Sequence, residues 1–206
     1  RTTDPVMGRG CLGSGPNLRE TSGTVYTLTG IGLSSAVPVG ASRRIIEAGD
    51  LVLVDIPACV EGYHADQSRT YALGRAPERA VDLFGRLREV SDFLIERVRP
   101  GMSCGEMVAL AFSRAEDLGL GETFMRFHRG TKGHFIGHGI GLEVNEAPLI
   151  ARNNKIVLPP GTTLALEMHV MEPEGITVKL EDTLYLTDEG LQLLTLSPRE
   201  LTVAGR

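Results

Sequence analysis

The sequence predicts an α+β domain in which antiparallel hairpins carry polar residues in their middles and helices pack on one side. Three observations predict it. A dense β-branched and leucine run occupies residues 51–56, apolar residues recur at helical spacing from Val81 to Val98, and two further strand-like runs lie at 162–170 and 177–187. A chain of 206 residues suits one sizeable domain. With 42% hydrophobic and 23% charged residues it falls outside the disordered and fibrous classes.

The elements follow in order. Residues 1–22 are rich in Gly, Pro, Arg and Thr without a sustained period, so they read as an irregular arm. The chain opens at Arg1 rather than Met, and that arm is expected to be the remnant of a longer chain, with 23–206 forming the folded domain. A short strand is expected at 24–28, followed by a small-residue segment at 30–42. Gly49-Asp50 signals a turn, and 51–56 reads as a strand buried on both faces. A partner strand at 63–73 makes a hairpin turning about Val60-Glu61.

From Pro77 the period changes. Val81, Phe84, Leu87, Phe93, Leu94 and Val98 recur at helical spacing, and Phe84, Leu87 and Leu94 form its core stripe. Pro77 suits the first turn of this helix, and Pro100-Gly101 ends it. In Ser103-x-x-Glu106 each side chain can satisfy the other residue's free backbone N–H, so a second helix starts there and runs to Gly119. The Gly- and His-rich stretch 124–145 reads as a site-forming loop with a flanking strand. A second hairpin joins 162–170 to 177–187 around Pro173-Glu174-Gly175, and 195–206 reads as a covering tail.

Several function classes are excluded early. The chain has 21 Lys and Arg against 26 Asp and Glu, a net charge of -5, which argues against nucleic acid or an anionic membrane as partner. No apolar run approaches the ~18–20 residues of a membrane helix. Cys11, Cys59 and Cys104 are an odd set without C-x-x-C spacing, so free thiols and a cytoplasmic location are expected. Cys59 and Cys104 have no evident paired base, and no Gly-rich phosphate loop with a Lys is present.

Two acids stand where apolar residues belong. Asp55 lies inside the run 51–56 and Glu167 inside the run 164–170, and an unpaired buried carboxylate is unfavourable. The expected hairpin registers set Asp55 opposite Asp66 and Glu167 opposite Glu181. Directly opposed side chains stand roughly 4.5–5.5 Å apart, where like charges repel unless cations bind between them. Two divalent ions would balance the four carboxylates. Gly137-His138-Gly139-Ile140-Gly141 adds an imidazole flanked by glycines that allow close approach. Oxygen-rich ligation with one nitrogen favours Mn, Co, Fe or Zn.

These residues carry a resemblance. The stretch from Asp55 through Gly62, Tyr63 and Asp66 to Arg69 and Thr70 is similar to the first ligand hairpin of the pita-bread metallopeptidases, the family of methionine aminopeptidase, aminopeptidase P and prolidase. The stretch from His134 through His138 and Asn145 to Pro148 resembles the family's His-bearing loop. Leu166-Glu167 and Leu180-Glu181-Asp182-Thr183 resemble its two glutamate ligand segments, and Pro100-Gly101-Met102-Ser103 its helix junction. The resemblance covers roughly residues 30–195 and is strongest to the Xaa-Pro peptidase branch.

It implies a pseudo-twofold α+β pita-bread fold and a dinuclear hydrolase of the Xaa-Pro aminopeptidase or dipeptidase kind. Asp55, Asp66, His138, Glu167 and Glu181 would be its metal ligands. Asp66 and Glu181 would bridge the ions, with Asp55 on one and His138 and Glu167 on the other. Glu167 would also move the proton from nucleophile to leaving amine. The implied substrate is a short peptide or small amide, and a homodimer is a candidate assembly.

The departures concern the substrate shell. Val39 and Asn145 stand where family peptidases usually have His, Met168 follows Glu167 where Pro is common, and Lys179 replaces a frequent Arg. Val39, Asn145 and Lys179 are therefore the expected substrate-contacting positions. His134 and His169, together with His64, are candidates to replace the missing imidazoles. Two further readings follow from these changes: a metal-dependent hydrolase of a small non-peptide C–N substrate, and a binding module that has lost catalysis.

Overall fold

Pairing begins with a strand that the glycine-rich composition of the N-terminal segment conceals. The computed structural model describes residues 10–21, 27–173 and 175–205. Within the expected irregular arm, Cys11–Ser14 forms a strand (β1), followed by a 3-10 turn at Gly15–Arg19. β1 runs antiparallel to Leu51–Asp55 (β2), placing Cys11 opposite Asp55. Of the strand expected at 24–28, residues 24–26 lie outside the described residues, and Thr27 and Leu28 belong to no strand. β2 alternates buried and half-buried residues, so it is covered fully on one face and not on both.

The first hairpin differs from its expected register. Ala58–Val60 (β3) and Tyr63–Ala65 (β4) form a separate two-stranded ribbon, and Ser68–Leu73 (β5) pairs with β2. Glu61 and Gly62, with φ of 53° and 91°, make the turn, because a two-residue turn positive at both central positions matches strand twist. The turn therefore lies one residue later than Val60-Glu61, and Asp55 faces Ser68 rather than Asp66. Asp66 falls in the break between β4 and β5. Pro57, which has no N–H to give the ladder, lies in the matching break between β2 and β3.

Helix Glu78–Arg97 (α1) buries Ala80, Leu83, Phe84, Leu87, Val90 and Leu94 along one stripe, which takes in the expected Phe84, Leu87 and Leu94, whereas Val81 is exposed and Phe93 half-buried. Pro77 caps the helix from outside its first turn, its carbonyl accepting from the N–H groups of Ala80 and Val81. Helix Cys104–Asp117 (α2) starts from the expected capping box: Ser103 Oγ accepts from the Glu106 N–H, and Glu106 Oε2 accepts from the Ser103 N–H. Gly119, at φ 71°, takes the left-handed turn that ends it.

The remaining strands are Phe135–Gly139 (β6), Glu146–Ala151 (β7), Thr163–Met171 (β8), Thr177–Thr187 (β9), Gly190–Leu193 (β10) and Thr202–Ala204 (β11). Among the described residues the large sheet has the order β1-β2-β5-β9-β8-β6-β7, with β10 on β9 and β11 parallel to β5. The second hairpin has its expected register, Glu167 opposite Glu181, and Glu174 in its turn lies outside the described residues. Leu164, Leu166, Met168 and Val170 of β8, with Val178, Leu180 and Leu184 of β9, join the core under the helices. The alternate residues, Glu167 and His169 with Lys179, Glu181 and Thr183, face the other way. No helix of the described residues is long and apolar enough to cross a membrane.

Candidate metal centre

Glycine lets β6 lie between β7 and β8 at a separation no other residue would allow. A Cβ on Gly137 would stand 2.1 Å from the Ala165 carbonyl oxygen, and one on Gly139 would stand 2.4 Å from that of Ala147. His138 is thereby held between Leu149 and Ala165. Its Nδ1 lies 2.9 Å from the Gly139 carbonyl oxygen, which can only accept, so Nδ1 carries the proton and Nε2 keeps its lone pair. This is the arrangement in which a second hydrogen bond fixes the tautomer of a metal-binding imidazole.

Asp66 and Glu181 meet this imidazole. One potential ligand atom each from Asp66, His138 and Glu181 lies within 4.8 Å of the others, and all three residues are buried. Ligands to one ion at about 2.0–2.2 Å stand no more than roughly 4.4 Å apart, so a closure of a few tenths of an ångström fits a divalent cation. The donor set, two carboxylates and one imidazole, suits Mn, Fe, Co or Zn.

Asp55 and Glu167 are drawn to a different partner. The Lys179 ammonium donates to Asp55 Oδ2 at 2.6 Å and lies 2.8 Å from Glu167 Oε2 and 3.0 Å from Glu181 Oε2. It also donates to Thr27 Oγ1 at 2.8 Å, and Thr27 donates in turn to Glu167 Oε2 at 3.2 Å. Lys179 is 1% exposed. The expected substrate-contacting role of this residue does not match its position, since the charge faces the acids and not open space.

The electrostatics follow from burial. Lys179 is held well above the usual lysine range: burial works against its charge, but Asp55, Glu167 and Glu181 outweigh it. Burial also raises Glu167, yet the Lys179 charge, with hydrogen bonds from Lys179 and Thr27, brings it below the usual carboxylate range. Asp55 is raised by burial, against the pull of Lys179. Burial, with the Asp55 charge beside it, pushes Asp66 up to about 7. Glu181 is raised well above its usual value by burial, despite Lys179 and aided by Asp66, Asp55 and Glu167. The Asp66–Glu181 end of the cluster is thus the end short of positive charge.

Three hydroxyl residues that the sequence reading did not single out complete the site. β5 and β9 share one paired position, Ser68 opposite Glu181, where Ser68 Oγ donates to Glu181 Oε2 at 2.5 Å. On one side of it, Thr183 Oγ1 accepts from the Asp66 N–H at 2.9 Å and donates to the Asp66 carbonyl at 2.8 Å. On the other, Thr70 Oγ1 does the same for Lys179, at 3.0 and 2.8 Å. Behind them Arg69 donates to Asp182 at 2.6 Å and to the Glu181 carbonyl at 2.5 Å. The sequence signal for Ser68 and Thr183 is a hydroxyl residue two positions after Asp66 and after Glu181, and Thr70 carries no such signal.

The other expected site residues are spread out. His169 is buried near Glu167 and Lys179, but its Nε2–H donates to the Arg126 carbonyl at 2.8 Å and its ring packs on Phe127. Burial lowers it to about 4, so it is neutral. His134 is exposed and lies beside the Phe112 ring of α2. His64 anchors its ribbon to the loop after β6, its N–H donating to the Gly141 carbonyl at 2.7 Å. Asn145 is exposed, and Val39 is buried in the loop before β2 with only methyl groups to offer. Cys11, opposite Asp55, is pushed up to about 12 by burial and by that charge, so its thiol stays protonated. All three cysteines are free.

Residues 17–188 match the sequence profile of metallopeptidase family M24. The chain belongs to metallopeptidase family M24. It is 33% identical over 176 residues to the Xaa-Pro dipeptidase of Pyrococcus furiosus, a match covering 85% of this chain and 48% of that protein. It is 33% identical over 178 residues to the Xaa-Pro dipeptidase of Lactobacillus delbrueckii subsp. lactis, covering 86% and 46%. Among solved structures it is similar to the Xaa-Pro dipeptidase from Bacillus anthracis, with a TM-score of 0.76 at 32% identity over 96% of this chain and 49% of that one. The fold is therefore the pita-bread fold of M24 peptidases, and the chain stands with the Xaa-Pro branch. It spans about half the length of the curated relatives it matches.

Proposed function

We propose that this M24 chain is a metal-dependent hydrolase of a C–N bond, with short Xaa-Pro peptides as its substrate class. The observation that carries the reading is the buried convergence of Asp66, His138 and Glu181, with the imidazole held in its ligating tautomer. Asp55 and Glu167 complete the donor set that the family resemblance implies for two ions. A divalent ion held there would lower the pKa of water and polarise a scissile carbonyl.

The chain's own groups supply the rest. Glu167 is held ionised by the Lys179 charge and by hydrogen bonds from Lys179 and Thr27, which suits it to accept the nucleophile's proton and return it to the leaving amine. Lys179 and Thr27 both hold its Oε2, leaving Oε1 as the oxygen for that transfer. His138 keeps its Nδ1–H on the Gly139 carbonyl, which leaves Nε2 as its ligand atom. The three free thiols suit a reducing compartment such as the cytoplasm.

A second reading, hydrolysis of a small non-peptide amide, is favoured by Val39 and Asn145. Neither position supplies an imidazole to steady a tetrahedral intermediate, and loss of one such donor typically lowers turnover on the order of 10²–10³-fold. The test is a screen of protein loaded with Mn, Co, Fe or Zn against Xaa-Pro dipeptides, proline-second tripeptides and small amides. Cleavage of Xaa-Pro bonds, abolished by Glu167→Gln, is the expected result. Cleavage of small amides alone selects the second reading. Metal uptake without cleavage of any of them overturns both and leaves a binding module.

A further inference from the structure

Lys179 stands where a cation would. Its ammonium contacts one oxygen each of Asp55, Glu167 and Glu181, three of the five residues expected to cage two ions, at 2.6, 2.8 and 3.0 Å. Asp55 and Glu181 are donors that the resemblance gives to a second ion beside the Asp66–His138–Glu181 position, and Glu167 is a donor it gives to the first. An ion placed among them would share its ligands with a fixed positive charge at near-contact distance, and would be repelled by it.

Nor is the ammonium free to leave. The side chain is 1% exposed, and its Nζ also donates to Thr27 Oγ1 at 2.8 Å. The residue's backbone is held at both its N–H and its carbonyl by Thr70 Oγ1. A lysine ammonium has three protons, and here they are divided among four oxygen atoms, so each carboxylate it touches is already partly neutralised. Asp66 and His138 make no contact with it, and Glu181 accepts from it and from Ser68 on the same oxygen, Oε2, leaving Oε1. The positive charge is therefore built into one half of the cage, and the other half keeps an imidazole and two carboxylates for an external ion.

We infer that Lys179 acts as a resident cation in place of the second metal, so that the chain takes a single divalent ion, at Asp66, His138 and Glu181. This rests on the metal-dependent reading above. It goes beyond that reading by giving Lys179 the task of setting metal stoichiometry, with the Asp55 side of the cage closed to metal.

Manganese titration of the chelator-treated chain separates the outcomes, read by calorimetry and by metal content after gel filtration. The expected result is one equivalent of Mn(II) per chain, and a second equivalent in Lys179→Met, which keeps the length of the side chain and removes its charge. Two equivalents bound by the unsubstituted chain overturn the inference and leave the metal-dependent reading standing. One equivalent in both proteins overturns the role of Lys179. No uptake by either overturns the metal-dependent reading itself, and the inference with it.

Should Lys179→Met not fold, electron paramagnetic resonance of the unsubstituted chain decides alone. A six-line spectrum of isolated Mn(II), unchanged in form when excess metal is added and removed, supports the inference. An exchange-coupled pair spectrum overturns it.

Discussion

The hydroxyl of Thr183 holds both backbone groups of Asp66, accepting from its N–H at 2.9 Å and donating to its carbonyl at 2.8 Å. Asp66 lies in a break of the ladder, so this one side chain replaces the strand partner it lacks. Thr183→Val keeps the shape and removes both bonds. It should destabilise the fold on the order of 1–3 kcal/mol for each buried group left unpaired. Thr183→Ser should recover most of that. Chemical denaturation of the three proteins tests this, and equal midpoints for Thr183→Val and the parent would show that Asp66 is held by something else.

Metal binding should stabilise the folded chain by mass action. At a free metal concentration of 100 times Kd the gain is about 2.7 kcal/mol, seen as a rise in Tm that a chelator reverses. His138→Ala removes the only nitrogen of the three-residue cluster and should abolish that rise while leaving the metal-free Tm little changed. A rise of the same size in His138→Ala would move the metal elsewhere.

Gly137 is tested by the smallest possible addition. The Cβ of Gly137→Ala would meet the Ala165 carbonyl oxygen at 2.1 Å, a backbone atom that cannot rotate away. The expected loss is roughly 3 kcal/mol or more, at the upper end for overpacking, because β6 must separate from β8. Thermal denaturation checks it. An unperturbed Tm would mean that the strands part without penalty and that close approach does not place His138.

The neutral His169 gives a pH dependence with a definite sign. Burial lowers its pKa in the folded chain from the ordinary 6.5 to about 4. Between these values the unfolded chain binds a proton that the folded chain does not, so stability falls as pH falls. Its contribution is complete above about 6.5 and lost by about pH 4, a total of roughly 3 kcal/mol at 1.36 kcal/mol per unit. In metal-free protein, His169→Gln should flatten the Tm-against-pH curve over this window relative to the parent. Parallel curves would contradict the assignment.

The sequence revealed the helices and the second hairpin because their signals are local. The capping box at Ser103 and Glu106, the α1 stripe and the symmetric runs around Glu167 and Glu181 each state their own geometry. The first hairpin was harder, since its register depends on which two residues turn and on Pro57 breaking the ladder, and Ser68 took the place opposite Asp55 that Asp66 was expected to hold. β1 was hidden because a four-residue strand made of Cys, Leu, Gly and Ser carries little period of its own. Lys179 was legible as a departure from the family pattern but not as a partner of the acids. Its alternation with Glu181 in β9 puts both on one face, yet sequence does not say that the facing strands bring Asp55 and Glu167 within reach of one ammonium. For His134 the sequence shows nearness to His138 in the chain, but not the ring contact with Phe112 of α2.

The segment from Ser197 to Ala204 has a consequence for how the interior is kept dry. Arg69 donates to the carbonyls of Ser197 and Pro198, Arg199 donates to Asp182, and β11 lies along β5. The buried Arg69–Asp182 pair behind the site is thus sheathed by this segment. Were it to lift away, water would reach the pair, and β5 and β9 would lose the charge contact that ties them together behind the acids.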